Sequence, residues 1–127
     1  MSDPAKEAYL QGLKLYGEGK FAEAVAAFDR GLVVRPDWAD LLQAKGMAQM
    51  NGGSYAEALE TLLRYTELAP EDPSAFTSVS MCYQRLGRIE EAEKAQAQAR
   101  MLSWKQELKT NPNAPPPGPP GGMNVVQ

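Results

Sequence analysis

The chain has 127 residues, a formal net charge of −3 at pH 7, one cysteine and no histidine. Its length allows one domain. Its slightly negative net charge predicts no basic surface that would bind a nucleic acid or a membrane. Because histidine is the commonest general base and the commonest metal ligand, its absence predicts that the chain is not an enzyme and holds no metal or cofactor.

Six helices are predicted, because segments with apolar residues at helical spacing alternate with proline and glycine punctuation. Asp3 before Pro4, and Asp72 before Pro73, place an N-cap acceptor next to a residue that suits the first helical turn. The predicted helices span residues 4–17, 21–34, 38–51, 55–68, 73–86 and 89–109.

Further signals mark the ends of these helices. Ser54 and Glu57 form a capping-box pattern at the start of the fourth helix, and Asp37 is placed to cap the third. Pro36 and Pro70 end the second and fourth helices, because proline cannot continue them. The glycines predicted to end the other helices by allowing a positive φ are Gly17, Gly19, Gly52, Gly53 and Gly87.

The chain also repeats itself every 34 residues. The positions that agree at this spacing are Gly12, Gly46 and Ser80; Gly19, Gly53 and Gly87; Phe21, Tyr55 and Ile89; Ala24, Ala58 and Ala92; and Pro36 and Pro70. Such a period is typical of stacked helix pairs, in which each pair covers the apolar face of its neighbour. The small residues at positions 12, 46 and 80 would let the two helices of a pair approach closely.

These columns resemble the tetratricopeptide repeat (TPR) family, in three copies over residues 4–108. The first copy has the glycine of the family at Gly12 and its closing proline at Pro36. The third copy has Ser80 for the glycine, Gln96 for a large apolar residue and Trp104 for the closing proline. The resemblance implies an all-α solenoid of six antiparallel helices, the last one extended, with a TPR domain at 1–110 and repeats at about 5–38, 39–72 and 73–109.

In the TPR family, one face of the first helix of each repeat lines a concave groove that binds protein segments. The equivalent residues of this chain are Lys6, Tyr9, Leu13, Tyr16, Asp40, Gln43, Met47, Met50, Asn51, Ser74, Thr77, Met81, Gln84 and Arg85. Because methionine is adaptable and tyrosine joins an apolar ring to a polar tip, the groove should suit an apolar or mixed peptide. The alternative is that some apolar members belong to the core between repeats.

The last helix and the residues after it can each be interpreted in two ways. Met101, Trp104 and Leu108 form an apolar stripe, which either belongs to a solvent-compatible end cap or docks another copy of the chain. Residues 111–127 are rich in proline and glycine, so a disordered tail is predicted. The alternative for the tail is a ligand, either for an aromatic groove on a partner or for the groove of this chain.

The leading hypothesis is a non-catalytic adaptor that binds a peptide segment of a partner protein in the concave groove. One alternative is a dedicated chaperone for an apolar segment of a secreted or assembling client. Another is a scaffold that associates with itself through the last helix or the tail. A cytoplasmic location is expected, because the sequence shows no signal-peptide pattern and no long apolar run. Cys82 is expected to be a buried, inert thiol.

Overall fold

The computed structural model describes residues 2–118, and within them the chain forms helices and no strand. The helices are α1 (Pro4–Gly17), α2 (Phe21–Val34), α3 (Ala39–Asn51), α4 (Tyr55–Leu68), α5 (Pro73–Arg85) and α6 (Ile89–Thr110). Each bound lies within one residue of the range predicted from the sequence, so the all-α fold is confirmed. None of these helices, within the described range, is long and apolar enough to cross a membrane.

The helices stack as three antiparallel pairs in two layers. Helix α1 packs on α2, α3 on α4, and α5 on α6, while α2 with α3 and α4 with α5 join one pair to the next. The first helices of the pairs also contact one another, α1 with α3 and α3 with α5. By contrast, the Cα atoms of α2, α4 and α6 stay more than 8 Å apart. The layer of first helices therefore forms the inner, concave side of a curved stack.

Within the first two pairs, a side chain of the second helix fills the space beside a glycine of the first. A Cβ atom added to Gly12 would lie 2.3 Å from Phe28, and one added to Gly46 would lie 2.5 Å from Leu62. Phe28 and Leu62 are both fully buried. Glycine is thus required at these positions by the contact across the pair, because a close-packed interior has no room for a further atom.

The third pair makes the same approach with different residues. Ser80 replaces the glycine, is completely buried, and donates a 2.8 Å hydrogen bond from its hydroxyl to the carbonyl oxygen of Ala92 on α6. Gln96 stands where Phe28 and Leu62 stand in the other pairs, and it is only half-buried. A polar link between the helices therefore takes the place of the apolar contact.

Each pair is closed by a turn with one glycine in the left-handed region. Gly19, Gly53 and Gly87 have φ angles of 77°, 85° and 77°. The N–H of the residue after each glycine donates to the carbonyl five residues earlier, at 2.8 to 2.9 Å. One left-handed residue completes this turn. The assignment of Gly17 and Gly52 to the same role is wrong, since Gly17 lies within α1 and Gly52 has a φ of −85°.

Two predicted helix caps do not form. Ser54 makes no capping hydrogen bond, because its backbone, with φ −90° and ψ 67°, follows the turn at Gly53 instead of the extended geometry of an N-cap. Asp37 lies one residue too early: Trp38 is the N-cap of α3, and Asp37 accepts a 2.8 Å hydrogen bond from Arg64. Helices α3 and α4 therefore begin without side-chain caps, which indicates that packing fixes their ends.

The core between the layers contains the single cysteine. Cys82 is completely buried, in one apolar cluster with Leu62 and Val79. Burial raises the pKa of its thiol, because the thiolate would lose its hydration. The thiol is accordingly protonated and enclosed, as a packing residue should be.

Residues 111–118 turn back onto α6 after the helix ends. The carbonyl of Asn111 accepts a 3.0 Å hydrogen bond from the N–H of Ala114, and the indole Nε1 of Trp104 donates to the carbonyl of Ala114 at 3.0 Å. Ala114 is buried. This part of the predicted tail therefore contacts the helical domain, and the remainder of that prediction, residues 119–127, lies outside the described residues.

Asp72 links the start of α5 to the end of α4. Its carboxylate accepts hydrogen bonds from the N–H and the hydroxyl of Ser74, and from the hydroxyl of Tyr65 at 2.5 Å. Burial alone would raise the pKa of Asp72, but these hydrogen bonds outweigh it and hold the pKa below its ordinary value of 3.8. Burial, together with Asp72, also raises the pKa of Tyr65, so the donor stays protonated.

Gly46→Ala is expected to lower the free energy of unfolding by about 1–3 kcal/mol, because Leu62 must move or the helices must separate. Gly17→Ala is the matched control, since no atom lies within 4 Å of the added Cβ. It should leave stability unchanged or raise it by up to about 1 kcal/mol, because alanine is the better helix former. Urea unfolding of both variants measures the difference, and equal effects would contradict the close-contact explanation.

Tyr65→Phe is expected to lower the free energy of unfolding by about 1–3 kcal/mol at neutral pH, because a hydrogen bond to an ionised carboxylate is lost. Folding lowers the pKa of Asp72, so the ionised Asp72 carboxylate stabilises the folded state. This stabilisation is complete above pH 3.8, and it is lost as the pH falls through the lower pKa that Asp72 has in the folded state. The difference between the two proteins should therefore shrink in acid. Urea unfolding of both proteins at neutral pH and in acid measures this difference in the free energy of unfolding. A difference that does not change with pH would show that packing of the Tyr65 ring, and not its hydrogen bond, is responsible.

Candidate functional site

The inner layer contains a cavity of about 250 Å³ between α1 and α3, which we call the α1–α3 groove. Its lining residues are Tyr9, Leu13, Tyr16, Asp40, Gln43, Ala44 and Met47. All of them except Ala44 are among the residues that the sequence places in the concave groove. The members on α1 are four and three residues apart, so they share one face of that helix.

Tyr9 is held in place at the N-terminal end of the groove. Its ring centroid lies 5.1 Å from that of Trp38 and 6.2 Å from that of Phe28, and the rings are tilted in both pairs. Burial, and then the nearby Asp40 carboxylate, raise the pKa of Tyr9, so its hydroxyl stays protonated. Tyr9 therefore offers a ligand a fixed ring and one hydrogen-bond donor.

Tyr16 is fixed at the opposite end of the groove by Asn51. The Nδ2 of Asn51 donates to the hydroxyl oxygen of Tyr16 at 2.5 Å and to the carbonyl of Met47 at 3.0 Å. The ring of Tyr16 also meets Phe21 edge-on, with centroids 5.5 Å apart. Asn51 thus joins the C-terminal ends of α1 and α3, and it holds Tyr16 without lining the groove itself.

Met47 and Ala44 line the α3 side of the groove, together with Asp40 and Gln43. Met47 is half-buried against the core, and its sulfur accepts a 3.7 Å hydrogen bond from the hydroxyl of Ser78 on α5. Ala44 was not among the groove residues predicted from the sequence, because an alanine inside a helix gives no sign of a functional role. Its short side chain leaves room for the cavity, whereas the equivalent position of the first repeat holds Leu10. The groove thus depends partly on the small size of the side chain at position 44.

The groove is mainly apolar and carries one charge. Leu13 is 39% exposed at the surface of the cavity, between the two tyrosines. Asp40 is the one charged residue among the lining residues, and Gln43 adds a neutral amide. Such a surface can take apolar side chains from a ligand and a single donor or cation near Asp40.

Several predicted groove residues lie elsewhere. Met50 is only 8% exposed and belongs to a core cluster with Leu62, so its inclusion in the groove is corrected: it faces the packed side of α3. Lys6 is exposed and does not line the cavity. The guanidinium of Arg85 lies 5.5 Å above the ring of Tyr55 on α4, so it packs across the stack.

The third-repeat members are on the inner layer but outside the α1–α3 groove. Thr77 and Gln84 line two other cavities at the end of the stack. Met81 is 44% exposed, and the hydroxyl of Ser74 is engaged with Asp72 in the cap of α5. These residues could extend a binding surface along the inner layer, but the structure does not gather them into the same cavity.

The apolar stripe of α6 is not continuous at the surface. Trp104 is half-buried and donates its indole N–H to Ala114, as described above. Met101 is exposed, and Leu108 is half-buried. A second copy of the chain would therefore meet two separated apolar side chains and not an open stripe of three.

Residues 9–73 and 44–107 match the family described as Tetratricopeptide repeat, and these two ranges cover most of the chain. The chain belongs to the tetratricopeptide repeat family. The family resemblance derived from the repeated glycines, alanines and prolines is therefore confirmed. The overlap of the two ranges agrees with three consecutive repeats, since each range spans about two of them.

Similar proteins are found among curated relatives and among solved structures. The chain is 28% identical to the photosystem I assembly protein Ycf3 of Synechococcus sp. strain CC9902 over 120 residues, which cover 85% of this chain and 69% of that protein. The Yersinia enterocolitica type III secretion translocator chaperone SycD has a TM-score of 0.76 at 22% identity, with 87% of this chain and 84% of SycD covered. MamA has a TM-score of 0.78 at 21% identity, with 81% of this chain and 60% of MamA covered. The two structural likenesses establish the fold alone.

Met50→Ala is expected to lower the free energy of unfolding by about 2–4 kcal/mol, because it leaves a cavity in the core. Leu13→Ala removes an exposed side chain of similar size and should cost less than about 1 kcal/mol. Urea unfolding of the two variants measures both values. A small decrease in the free energy of unfolding of Met50→Ala would contradict the burial of Met50 and would support its original assignment to the groove.

Proposed function

We propose that the chain is a non-catalytic binding module that holds an apolar peptide segment of a partner protein in the α1–α3 groove. The observation that carries the proposal is the groove itself, which gathers two tyrosines, a leucine and a methionine around a single carboxylate. Core contacts fix Tyr9, and a hydrogen bond fixes Tyr16. A ligand therefore meets a preformed surface and loses less free energy in ordering it.

The size of the cavity favours a peptide over a small metabolite. About 250 Å³ is less than the volume of most small-molecule sites, and it accommodates one or two apolar side chains. The rest of such a peptide would lie along the inner layer toward α5, where Met81 is exposed. Asp40 favours a segment with a donor or a cation near its apolar anchor. The small contact area implies an affinity of order micromolar.

A dedicated chaperone is the second candidate function, and the names of similar proteins favour it. Ycf3 is named a photosystem I assembly protein in several Synechococcus strains, and SycD is named a translocator chaperone. The shared fold supports the same kind of use here, in which the groove covers an apolar segment of a client until the client assembles. An adaptor would use the same groove to join partners that are already stable.

Photo-crosslinking separates these two candidates. A photoreactive amino acid in place of Leu13 should capture the occupant of the groove in cells that naturally produce the chain. The same amino acid in place of Leu10 is the control, because Leu10 lies on α1 outside the groove. The captured partner is then produced with and without the chain. A client of a chaperone needs the chain to stay soluble, and the partner of an adaptor does not.

Leu13→Glu is expected to weaken binding of the captured segment by about tenfold or more, because a second carboxylate would enter an apolar groove beside Asp40. Leu10→Glu is the matched control, since Leu10 is 53% exposed on the same helix and outside the cavity. Calorimetric titration measures the affinity, and circular dichroism checks that both variants are folded. Equal losses in the two variants, or no capture at position 13, would contradict the proposal.

A further inference from the structure

The end of the stack presents a second surface on α6, away from the α1–α3 groove. Two adjoining cavities of about 240 and 360 Å³ lie there and share Gln96 and Arg100. We call this surface the α6 end face and define it by Gln96, Ala99, Arg100, Ser103, Trp104 and Glu107. None of these residues lines the α1–α3 groove.

In the first two repeats, the equivalent face is covered by the next helix. At the 34-residue spacing, Ala99 corresponds to Gly31 and Tyr65. Gly31 faces the side chain of Leu41 on α3, and Tyr65 packs in one cluster with Ala75 on α5. No helix follows α6 within the described residues. The α6 end face therefore needs another cover, as the last unit of a solenoid does.

The cover is the segment of residues 112–118, which begins with a turn at residues 112–113 and which we call the strap. Its anchor is Ala114, which is only 6% exposed and whose carbonyl accepts the 3.0 Å hydrogen bond from the indole of Trp104. Pro115 and Pro117 line the cavity above α6. The strap thus occupies the place that the first helix of a further repeat would take.

The chemistry of this contact is that of polyproline recognition. Consecutive prolines fix φ and favour an extended helix whose carbonyl groups have no internal partner. Pro117 is half-buried and lines the cavity together with the exposed Pro115, whereas Pro116 between them is exposed and does not line it. An aromatic ring that packs beside prolines and donates to a neighbouring carbonyl is how aromatic grooves bind proline-rich chains. Trp104 supplies both the ring and the donor.

Arg100 adds a donor that the strap leaves unused. The Nη2 of Arg100 is buried and has no hydrogen-bond partner among residues 2–118. A buried guanidinium N–H without an acceptor costs free energy, so a carbonyl or carboxylate oxygen from an occupant would stabilise this surface. Arg100 borders both cavities, and it lines one of them together with Pro115 and Pro117 of the strap.

From these observations we infer that the α6 end face is a polyproline-binding site, which the strap occupies in the free chain and from which a proline-rich segment of a partner protein displaces it. Prolines of the partner take the places of Pro115 and Pro117, and its backbone carbonyls accept from Trp104 and Arg100. This inference does not depend on the function proposed for the α1–α3 groove.

The first experiment follows the indole N–H of Trp104 by NMR in the full chain, with Trp38 as the internal reference. Combined Pro115→Ser and Pro117→Ser substitutions are expected to release the strap and to raise hydrogen exchange of this N–H by about tenfold or more. Combined Pro112→Ser and Pro116→Ser substitutions are the matched control. They change two prolines that do not line the cavity, so exchange should stay the same.

The second experiment adds a proline-rich peptide to the released variant. The probe is a synthetic peptide with the sequence of residues 111–118, NPNAPPPG, and the control peptide has serine at the positions of Pro115 and Pro117. The probe should return the Trp104 signal to its position in the unaltered chain at roughly millimolar concentration, since a tethered strap acts at about that effective concentration. The control peptide should not.

Three results would overturn the inference. Unchanged exchange after the Pro115 and Pro117 substitutions would show that these prolines do not hold the strap. No response of the released variant to the probe would show that the end face does not bind proline-rich segments. A Trp104 signal that changes with protein concentration in the unaltered chain would show that the strap comes from a second copy.

Discussion

The stack depends on one constraint: the two helices of a repeat approach so closely that the first helix has no room for an ordinary side chain at one position. Gly12 and Gly46 meet this constraint by lacking a Cβ atom, and Phe28 and Leu62 fill the space beside them. Ser80 meets it with a buried hydroxyl that bonds to α6. Because the spacing within each pair is set in this way, α1, α3 and α5 align as an inner layer. The α1–α3 groove follows from that alignment and needs no separate motif.

The groove inherits its rigidity from the same packing. Tyr9 is both a groove residue and part of an aromatic cluster with Trp38, and Met47 is both a groove residue and part of the core. Drastic substitution of either side chain would disturb the fold together with the surface. Leu13 makes the better probe, because it is 39% exposed and belongs to none of the core clusters. This double use of side chains is expected wherever a binding surface is built on the layer that also packs the repeats.

The helices could be predicted from the sequence because proline and glycine act locally. Gly19, for example, ends its turn through its own φ angle, whatever surrounds it. The caps expected at Asp37 and Ser54 failed because neighbouring turns and packing decide those ends. The groove was harder to predict, since equivalent positions meet different surroundings: Tyr16 lines the groove, whereas Met50, its counterpart in the next repeat, is buried. Helical spacing identifies a face but not what covers it.

Two departures of the third repeat from the family pattern, Gln96 and Trp104, lie where no helix stacks on α6 within the described residues. Trp104 in place of the closing proline lets α6 continue and supplies the N–H that holds the strap. Gln96 lies in the resulting cavities and need not fill an apolar core. Thr77 borders the same cavity and also belongs to the predicted concave face. A partner that displaces the strap would therefore also change the surroundings of Thr77, a residue of the predicted concave face.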